Sequence, residues 1–346
     1  MKKVIITGVT GQDGSNMADH LINDHEDIHI YGMSRRVSIP NNHNIKHLLS
    51  HPRFTLFHGD LTDSTSINSA VKKYSPDYFL NFAANSYVGC SWTSPIHVWE
   101  TNTTGLLRCL EAIRCYAPKC RFYSAGSSEE MGDVDYSPQD LKHPIKPRSP
   151  YGASKAACRH LTKVYRESYN IFAIHSILFN HEGLRRGEEF VTRKITKGIA
   201  KIKKNIKNNE DIIPIRLGNV NSRRDWSDSE DFMRGVWMMM QQDEPKEHIL
   251  ASGETHSIKD FVTTAFAAAG IPGLWSGEGM DEKFRLFQEN TVLAEIDNEF
   301  YRPAEVELLW GDSTSARKEL GWEPQISFDK LVERMVHCDL ALNDGL

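Results

Sequence analysis

The chain has 346 residues, 40% hydrophobic and 25% charged, too many for one ordinary core but suited to a nucleotide-binding unit plus a smaller lobe. A formal net charge of -5 gives no reason to expect a nucleic-acid partner, and no apolar run of about 18 residues is present to span a membrane. The 6 cysteines (Cys90, Cys109, Cys115, Cys120, Cys158, Cys338) lack CxxC pairing, which favours buried free thiols in a reducing, cytoplasmic setting over disulfides or a metal site.

The opening Met1-Lys-Lys-Val-Ile-Ile-Thr7 is too short an apolar stretch for a signal segment and reads as a first strand. It stops at glycines, and Asn16 to Ile22 then carries helical spacing. Further short strands are expected at Ile28 to Tyr31, Phe54 to Phe57, Tyr78 to Ala83, Arg121 to Ser124 and Phe172 to Leu178, with helical stretches between most of them. This alternation predicts an α/β fold, a doubly wound and mostly parallel sheet of the Rossmann type, with ligands gathered at the carboxyl ends of the strands.

After Asn180 a long basic helix is expected from Phe190 to about Asn205, then a strand near Ile215, a strand at Glu247 to Leu250 and a helix from Ile258 to Ala269. Gly/Pro-rich turns complete a small mixed lobe. Its lysines (Lys194, Lys197, Lys201, Lys203, Lys204, Lys207) read mainly as a solvated face, with one or two members free to meet a ligand. The expected division assigns 1–180 to the nucleotide-binding domain, with about 215–245 and 288–312 returning to it. It assigns 181–214, 246–287 and 313–346 to the substrate lobe.

Gly8-Val-Thr10-Gly11-Gln12-Asp13-Gly14 follows the first strand and opens the first helix, the context a dinucleotide turn requires. Its glycines let backbone N–H groups approach a pyrophosphate at the helix N-terminus. The second strand ends in Arg35-Arg36 instead of the usual carboxylate, and two guanidiniums suit a ribose 2′-phosphate, so NADP is the expected cofactor. Asp60 and Leu61 are expected near the adenine. Ala83, Ala84 and Ser86 are expected beneath the phosphates and ribose.

Tyr151 and Lys155 are four residues apart and share one helix face, where the ammonium would stabilise a phenolate and lower its pKa below the free value of ~10. Ser127 can hydrogen-bond the same substrate hydroxyl. Glu129 supplies a second base, beyond what a plain dehydrogenase or epimerase needs.

These residues resemble the extended short-chain dehydrogenases/reductases and, within them, the GDP-mannose 4,6-dehydratases. Beyond the glycine turn and YxxxK pair, the resemblance rests on Arg148-Ser-Pro-Tyr-Gly-Ala-Ser-Lys155, Leu178-Phe-Asn-His-Glu182, Arg185-Arg-Gly-Glu188, Phe190-Val-Thr-Arg-Lys-Ile195, Leu217-Gly-Asn219, Arg224-Asp-Trp226 and Tyr301-Arg-Pro-Ala-Glu-Val-Glu307. It implies that His181 and Arg186 meet the nicotinamide half of NADP. It also implies that Ser86, Glu129, Asn180, Lys194, Leu217, Gly218, Arg224, Arg302 and Glu305 bind a GDP-sugar, and that the protein is a homo-oligomer, dimer or tetramer.

The implied reaction is oxidation at C4 through Tyr151 and Lys155, elimination across C5 and C6 with Glu129 as base, and reduction at C6. Glu129 is then expected to be partly buried with a raised pKa. The chain departs from the family run Ser-Thr-Ser-Glu-Leu-Tyr-Gly at Gly126-Ser-Ser-Glu-Glu-Met-Gly132. Glu130, one residue from the expected base, should face outward as a surface charge. Asn85 and Tyr87 stand where a Gln and a His are common. A GDP-hexose other than mannose, or a GDP-heptose, remains an alternative substrate; a 4-epimerase and a non-catalytic NADP-binding protein are alternative functions.

Overall fold

The computed structural model describes residues 1–300 and 306–343. Strand β1 (Lys2–Thr7) leads into α1 (Gln12–Asp24), β2 (Ile28–Ser34), β3 (Phe54–His58), α2 (Ser64–Tyr74) and β4 (Tyr78–Asn81). Helices α3 (Pro95–Trp99) and α4 (Gly105–Tyr116), joined through a π-helical turn at Glu100–Thr104, precede β5 (Arg121–Ala125), α5 (Pro150–Tyr169) and β6 (Ala173–Leu178). Next come β7 (Asn180–Glu182), α6 (Val191–Asn208), β8 (Ile215–Leu217), β9 (Arg223–Arg224), β10 (Trp226–Asp228), α7 (Ser229–Met240), β11 (Ile249–Leu250), β12 (His256–Ser257) and α8 (Ile258–Ala268). The chain closes with β13 (Gly273–Ser276), β14 (Lys283–Leu286), β15 (Val292–Ile296), β16 (Leu308–Leu309), α9 (Thr314–Leu320) and α10 (Phe328–Asn343).

The main sheet has seven parallel strands in the order β11-β6-β5-β4-β1-β2-β3. Its central strands are buried on both faces, so Val4-Ile-Ile6 and Tyr78-Phe-Leu80 read as unbroken apolar runs rather than alternating ones. One core lies between this sheet and α1 and α7, around Met17, Leu21, Phe232 and Trp322; the other lies against α2 and α4, around Phe79, Leu110 and Phe122. The strand order reverses between β1 and β4, which opens the ligand crevice at their carboxyl ends.

A separate core holds the smaller lobe. Apolar positions of α6 (Ile195, Ile199, Ile202) recur with helical period and pack against α8, α10 and the four-stranded sheet β13-β14-β15-β8. Strand pairing differs from the expected division in two places: β8 and β15 lie in this small sheet, whereas β11 joins the edge of the main sheet. The strands involved are two to five residues long, too short for periodicity to assign to a sheet. The exposed faces of α6 carry Lys197, Lys201, Lys203, Lys204 and Lys207 in solvent, as the spacing predicts. All six thiols are free, with Cys109, Cys120 and Cys158 buried and Cys115 exposed. Among the described residues no helix is long and apolar enough to cross a membrane, and no cluster of His, Cys, Asp and Glu could hold a metal.

Candidate active site

The glycine turn is built so tightly that side chains are excluded. Gly8 has φ +65, and a Cβ there would lie 2.8 Å from the Ala83 nitrogen; a Cβ on Gly14 would lie 2.4 Å from the Gly8 carbonyl oxygen. Helix α1 therefore starts against β1 and β4, with Gly11 at its N-cap and no side chain capping its first N–H groups. Such a cradle fits a pyrophosphate. Thr7 Oγ1 pins the wall beside it, donating to Asn81 at 2.6 Å and accepting from the Ala83 N–H at 3.1 Å.

Arg35 and Arg36 follow β2 directly and are exposed. Asp60 caps the turn after β3 by accepting from the Thr62 N–H and hydroxyl, and Leu61 is buried beside it. Ala83, Ala84 and Ser86 follow β4, where Ser86 is exposed. The Thr10 carbonyl accepts from Asn44 at 2.9 Å. All of these residues lie at carboxyl ends of β1 to β4, on one rim of the sheet.

Asp13 and His181 bind that rim to the second half of the chain. His181 Nε2 meets Asp13 Oδ2 at 3.0 Å, its Nδ1 meets the Phe179 carbonyl at 2.8 Å, and Gln12 donates to the His181 carbonyl at 3.1 Å. Burial alone would raise the Asp13 pKa, but the His181 charge and hydrogen bond, aided by Arg186, bring it down to about 2. Burial alone would lower the His181 pKa, and Asp13 outweighs it, so that pKa is raised. Arg186 pairs with Glu182 at 2.9 Å and lies 3.6 Å over the Phe190 ring.

The acid/base cluster lies between β5 and the first turn of α5. Ser149 caps that helix by accepting from the Gly152 N–H at 3.0 Å, and Pro150 occupies N1, which sets Tyr151 and Lys155 facing β5. Both are 7% exposed. The Lys155 ammonium donates to the Ala125 carbonyl at 2.7 Å and stands 5.9 Å from the Tyr151 ring centre. Asn102, from the π-helical turn, holds α5 from the other side through Ser154 at 3.1 Å.

Ser127 caps the short 3-10 turn Ser128–Glu130, and its hydroxyl is near enough to the Tyr151 phenol to favour the phenolate. Glu129 lies on the same turn, half-buried as expected. Its main chain touches α5 directly: a Cβ on Gly152 would fall 2.5 Å from the Glu129 carbonyl oxygen.

Two expectations are corrected here. The Tyr151 pKa is raised, not lowered: burial is the largest effect, Glu129 and Glu130 add to it, and Lys155 and Ser127 offset only part. Glu130 does not face outward. It is 0% exposed, with its carboxylate accepting from the Ser127 N–H at 2.8 Å and meeting His175 Nε2 at 2.9 Å. Neighbouring residues point apart in a regular helix, but a capping box turns the third residue back onto the cap. Ser127-Ser-Glu-Glu130 spells that S-x-x-E signature, the sequence signal that identifies the turn.

The expected substrate residues fall in several places. Asn180 begins β7 with its Oδ1 buried and unpaired among the described residues. Lys194 projects from α6 to within 3.3 Å of the Phe300 ring centre; burial and Arg216 lower its pKa against the pull of Glu299 and Asp297. Leu217 ends β8 and Gly218 follows it; the Leu217 carbonyl accepts from the Asp297 N–H at 2.7 Å. Arg224 lies on β9, 7% exposed, donating to the Arg223 carbonyl at 2.9 Å. Arg302 and Glu305 lie outside the described residues. Phe300 and Arg216, which pack around Lys194, carry no motif that sequence reading could single out.

Comparison with known proteins gives a consistent family. The family model described as GDP-mannose 4,6 dehydratase matches residues 5–335. A Drosophila melanogaster relative named GDP-mannose 4,6 dehydratase is 40% identical over 99% of this chain and 87% of its own length. A Homo sapiens relative of the same name is 38% identical over 98% of this chain and 91% of its own length. Among solved structures, RMD from Pseudomonas aeruginosa complexed with NADPH superposes with a TM-score of 0.76 at 19% identity, covering 99% of this chain and 100% of that one.

Proposed function

This chain belongs to the GDP-mannose 4,6-dehydratase family, and from that premise we propose that it converts GDP-mannose to GDP-4-keto-6-deoxymannose, a hydro-lyase reaction, with NADP as its cofactor. The observation that carries the reading is the closeness of two acid/base systems. Tyr151 with Lys155 and Ser127 is suited to oxidation at a hydroxyl-bearing carbon, and Glu129, on the turn packed against Gly152, is suited to proton removal at the next carbon. A 4-epimerase has no use for the second system.

The glycine cradle fits the cofactor's pyrophosphate, and the exposed Arg35-Arg36 pair fits a 2′-phosphate by charge-assisted hydrogen bonds. Asp60 and Leu61 would flank the adenine; Ala83, Ala84 and Ser86 would line the phosphates and ribose, and His181 with Arg186 would bound the nicotinamide. When bound, NADP would supply hydride exchange at C4 and C6 and a positive charge that favours the Tyr151 phenolate. Tyr151 takes the proton of the sugar 4-hydroxyl, helped by the Ser127 hydroxyl. The resulting 4-ketone acidifies C5–H, and Glu129 removes that proton and then delivers it to the departing C6 hydroxyl, which leaves as water; once C6 has gained hydride, the enolate takes a proton at C5, matching the one Tyr151 took from the 4-hydroxyl. Asn180, Lys194, Leu217, Gly218 and Arg224 are assigned to the GDP-sugar.

Incubating the protein with GDP-mannose and no added reductant, then recording the product's NMR spectrum, tests this reading. A 4-keto-6-deoxy product is expected. Inert GDP-mannose alongside turnover of another GDP-hexose or a GDP-heptose would move the assignment to that sugar; we assign such a difference to the segment of Tyr87, which stands edge-on to Phe190 at 5.9 Å.

A further inference from the structure

A buried polar network lies beneath the turn that carries Ser127 and Glu129. Ser124, Glu130 and His175 come from β5, the turn after it and β6, and are 2%, 0% and 0% exposed. His175 Nδ1 meets Ser124 Oγ at 3.0 Å and its Nε2 meets Glu130 Oε1 at 2.9 Å, while the same oxygen accepts from the Ser127 N–H at 2.8 Å. An ionised carboxylate only accepts, so Nε2 donates to Glu130. Space for the pair exists only because residue 126 is glycine: a Cβ there would lie 2.4 Å from His175 Nε2 and 2.8 Å from Glu130 Oε1.

Burying a carboxylate is costly, and this one keeps Oε2 without a hydrogen-bond partner among the described residues. Burial raises the Glu130 pKa, but the His175 charge and hydrogen bond and the Ser127 N–H offset this and leave it lowered, with a smaller contribution from Arg159. Apolar side chains would fill the same space without that cost. What the pair supplies instead is directional: it fixes the Ser127 peptide between two strands of the main sheet. That peptide orients both the Ser127 hydroxyl, which favours the Tyr151 phenolate, and the following Glu129.

We propose that Glu130 and His175 form a positioning pair that holds Ser127 and Glu129 in register with Tyr151 for oxidation and elimination. The pair touches neither substrate nor cofactor. This role rests on the dehydratase reading above, so the parent enzyme's product is measured first.

The test compares Glu130→Gln, Glu130→Leu and the double variant Glu130→Leu/His175→Leu with the parent. In Glu130→Leu, kcat should fall on the order of 100-fold, as misplacement of a reacting group by about 1 Å can cause, while KM for GDP-mannose stays within about threefold. Glu130→Gln retains the accepting oxygen and should recover kcat to within about tenfold of the parent. The double variant replaces the pair by apolar side chains, a change buried ion pairs often tolerate, so it should fold even where the single Leu variant does not. It should lose kcat to within about threefold of the single Leu variant, because the two residues act as one unit. Parental kcat in a folded Leu or double variant, or a Gln variant no better than Leu, overturns the positioning role alone. A parent that makes no 4-keto-6-deoxy product overturns the functional reading, and this proposal with it.

Discussion

Lys155 stands 5.9 Å from the ring centre of Tyr151, its ammonium anchored by a 2.7 Å hydrogen bond to the Ala125 carbonyl. The lysine is thus held by β5 itself and cannot swing away from the phenol without breaking that bond. In the free protein its charge only partly offsets the desolvation of Tyr151, whose pKa is raised. Removing the ammonium should push the phenol higher still. Lys155→Met is expected to lower kcat/KM by roughly 10²–10⁴-fold, the usual worth of a positioned base, and to displace the acidic limb of the pH–rate profile to higher pH. Steady-state rates between about pH 6 and 10 check this; an unshifted limb would deny Lys155 its electrostatic role.

Glu129→Gln separates the two halves of the reaction. The variant keeps the turn and the Ser127 hydroxyl, so oxidation at C4 should proceed and bound NADPH should be visible by its absorbance and fluorescence. No 6-deoxy product should form, because an amide cannot take the C5 proton. Normal product formation would remove Glu129 from the elimination.

Arg35→Ala and Arg36→Ala should weaken NADP binding by about 1.5–3 kcal/mol for each charge-assisted hydrogen bond removed and leave NAD affinity nearly unchanged. Isothermal titration with the two dinucleotides measures the difference. Equal weakening for both would show that the pair does not read the 2′-phosphate.

The Asp13–His181 pair should leave a signature in stability against pH. His181 has a raised pKa in the fold, so its stabilisation is complete below the ordinary histidine value of about 6.5 and is lost as pH rises through the raised one. Asp13 is lowered to about 2, so its stabilisation is present above the unfolded value and is lost as pH falls toward about 2. The excess Tm of the parent over His181→Asn should therefore be widest between about pH 4 and 6.5 and narrow above neutrality. A gap that stays constant into the alkaline range would mean the pair is not ionised.

The nucleotide half of the molecule is legible in the sequence because its signals are local. The strand-turn-helix of residues 2–24 carries both its period and its glycines in one short stretch. The smaller lobe is harder: β8, β9, β12 and β16 are two or three residues long and find partners far along the chain, so no window of sequence contains both sides of the pairing. Helix geometry gives the wrong direction for Glu130 because the residue closes a capping box, although its S-x-x-E spacing is in plain view. His175 cannot be found at all from spacing, since its partners Ser124 and Glu130 lie 51 and 45 residues away.

The close approach of Gly152 to the Glu129 carbonyl, where a Cβ would sit at 2.5 Å, sets a boundary on how such an enzyme can be retuned. The tyrosine-bearing helix and the glutamate-bearing turn meet main chain to main chain, so the interval between Tyr151 and Glu129 is not adjustable by choosing longer or shorter side chains around them. Laboratory evolution toward a different sugar would therefore keep this junction and change the walls facing the sugar's outer carbons. Libraries that randomise Asn85 and Tyr87 should return active variants far more often than libraries that randomise Gly152.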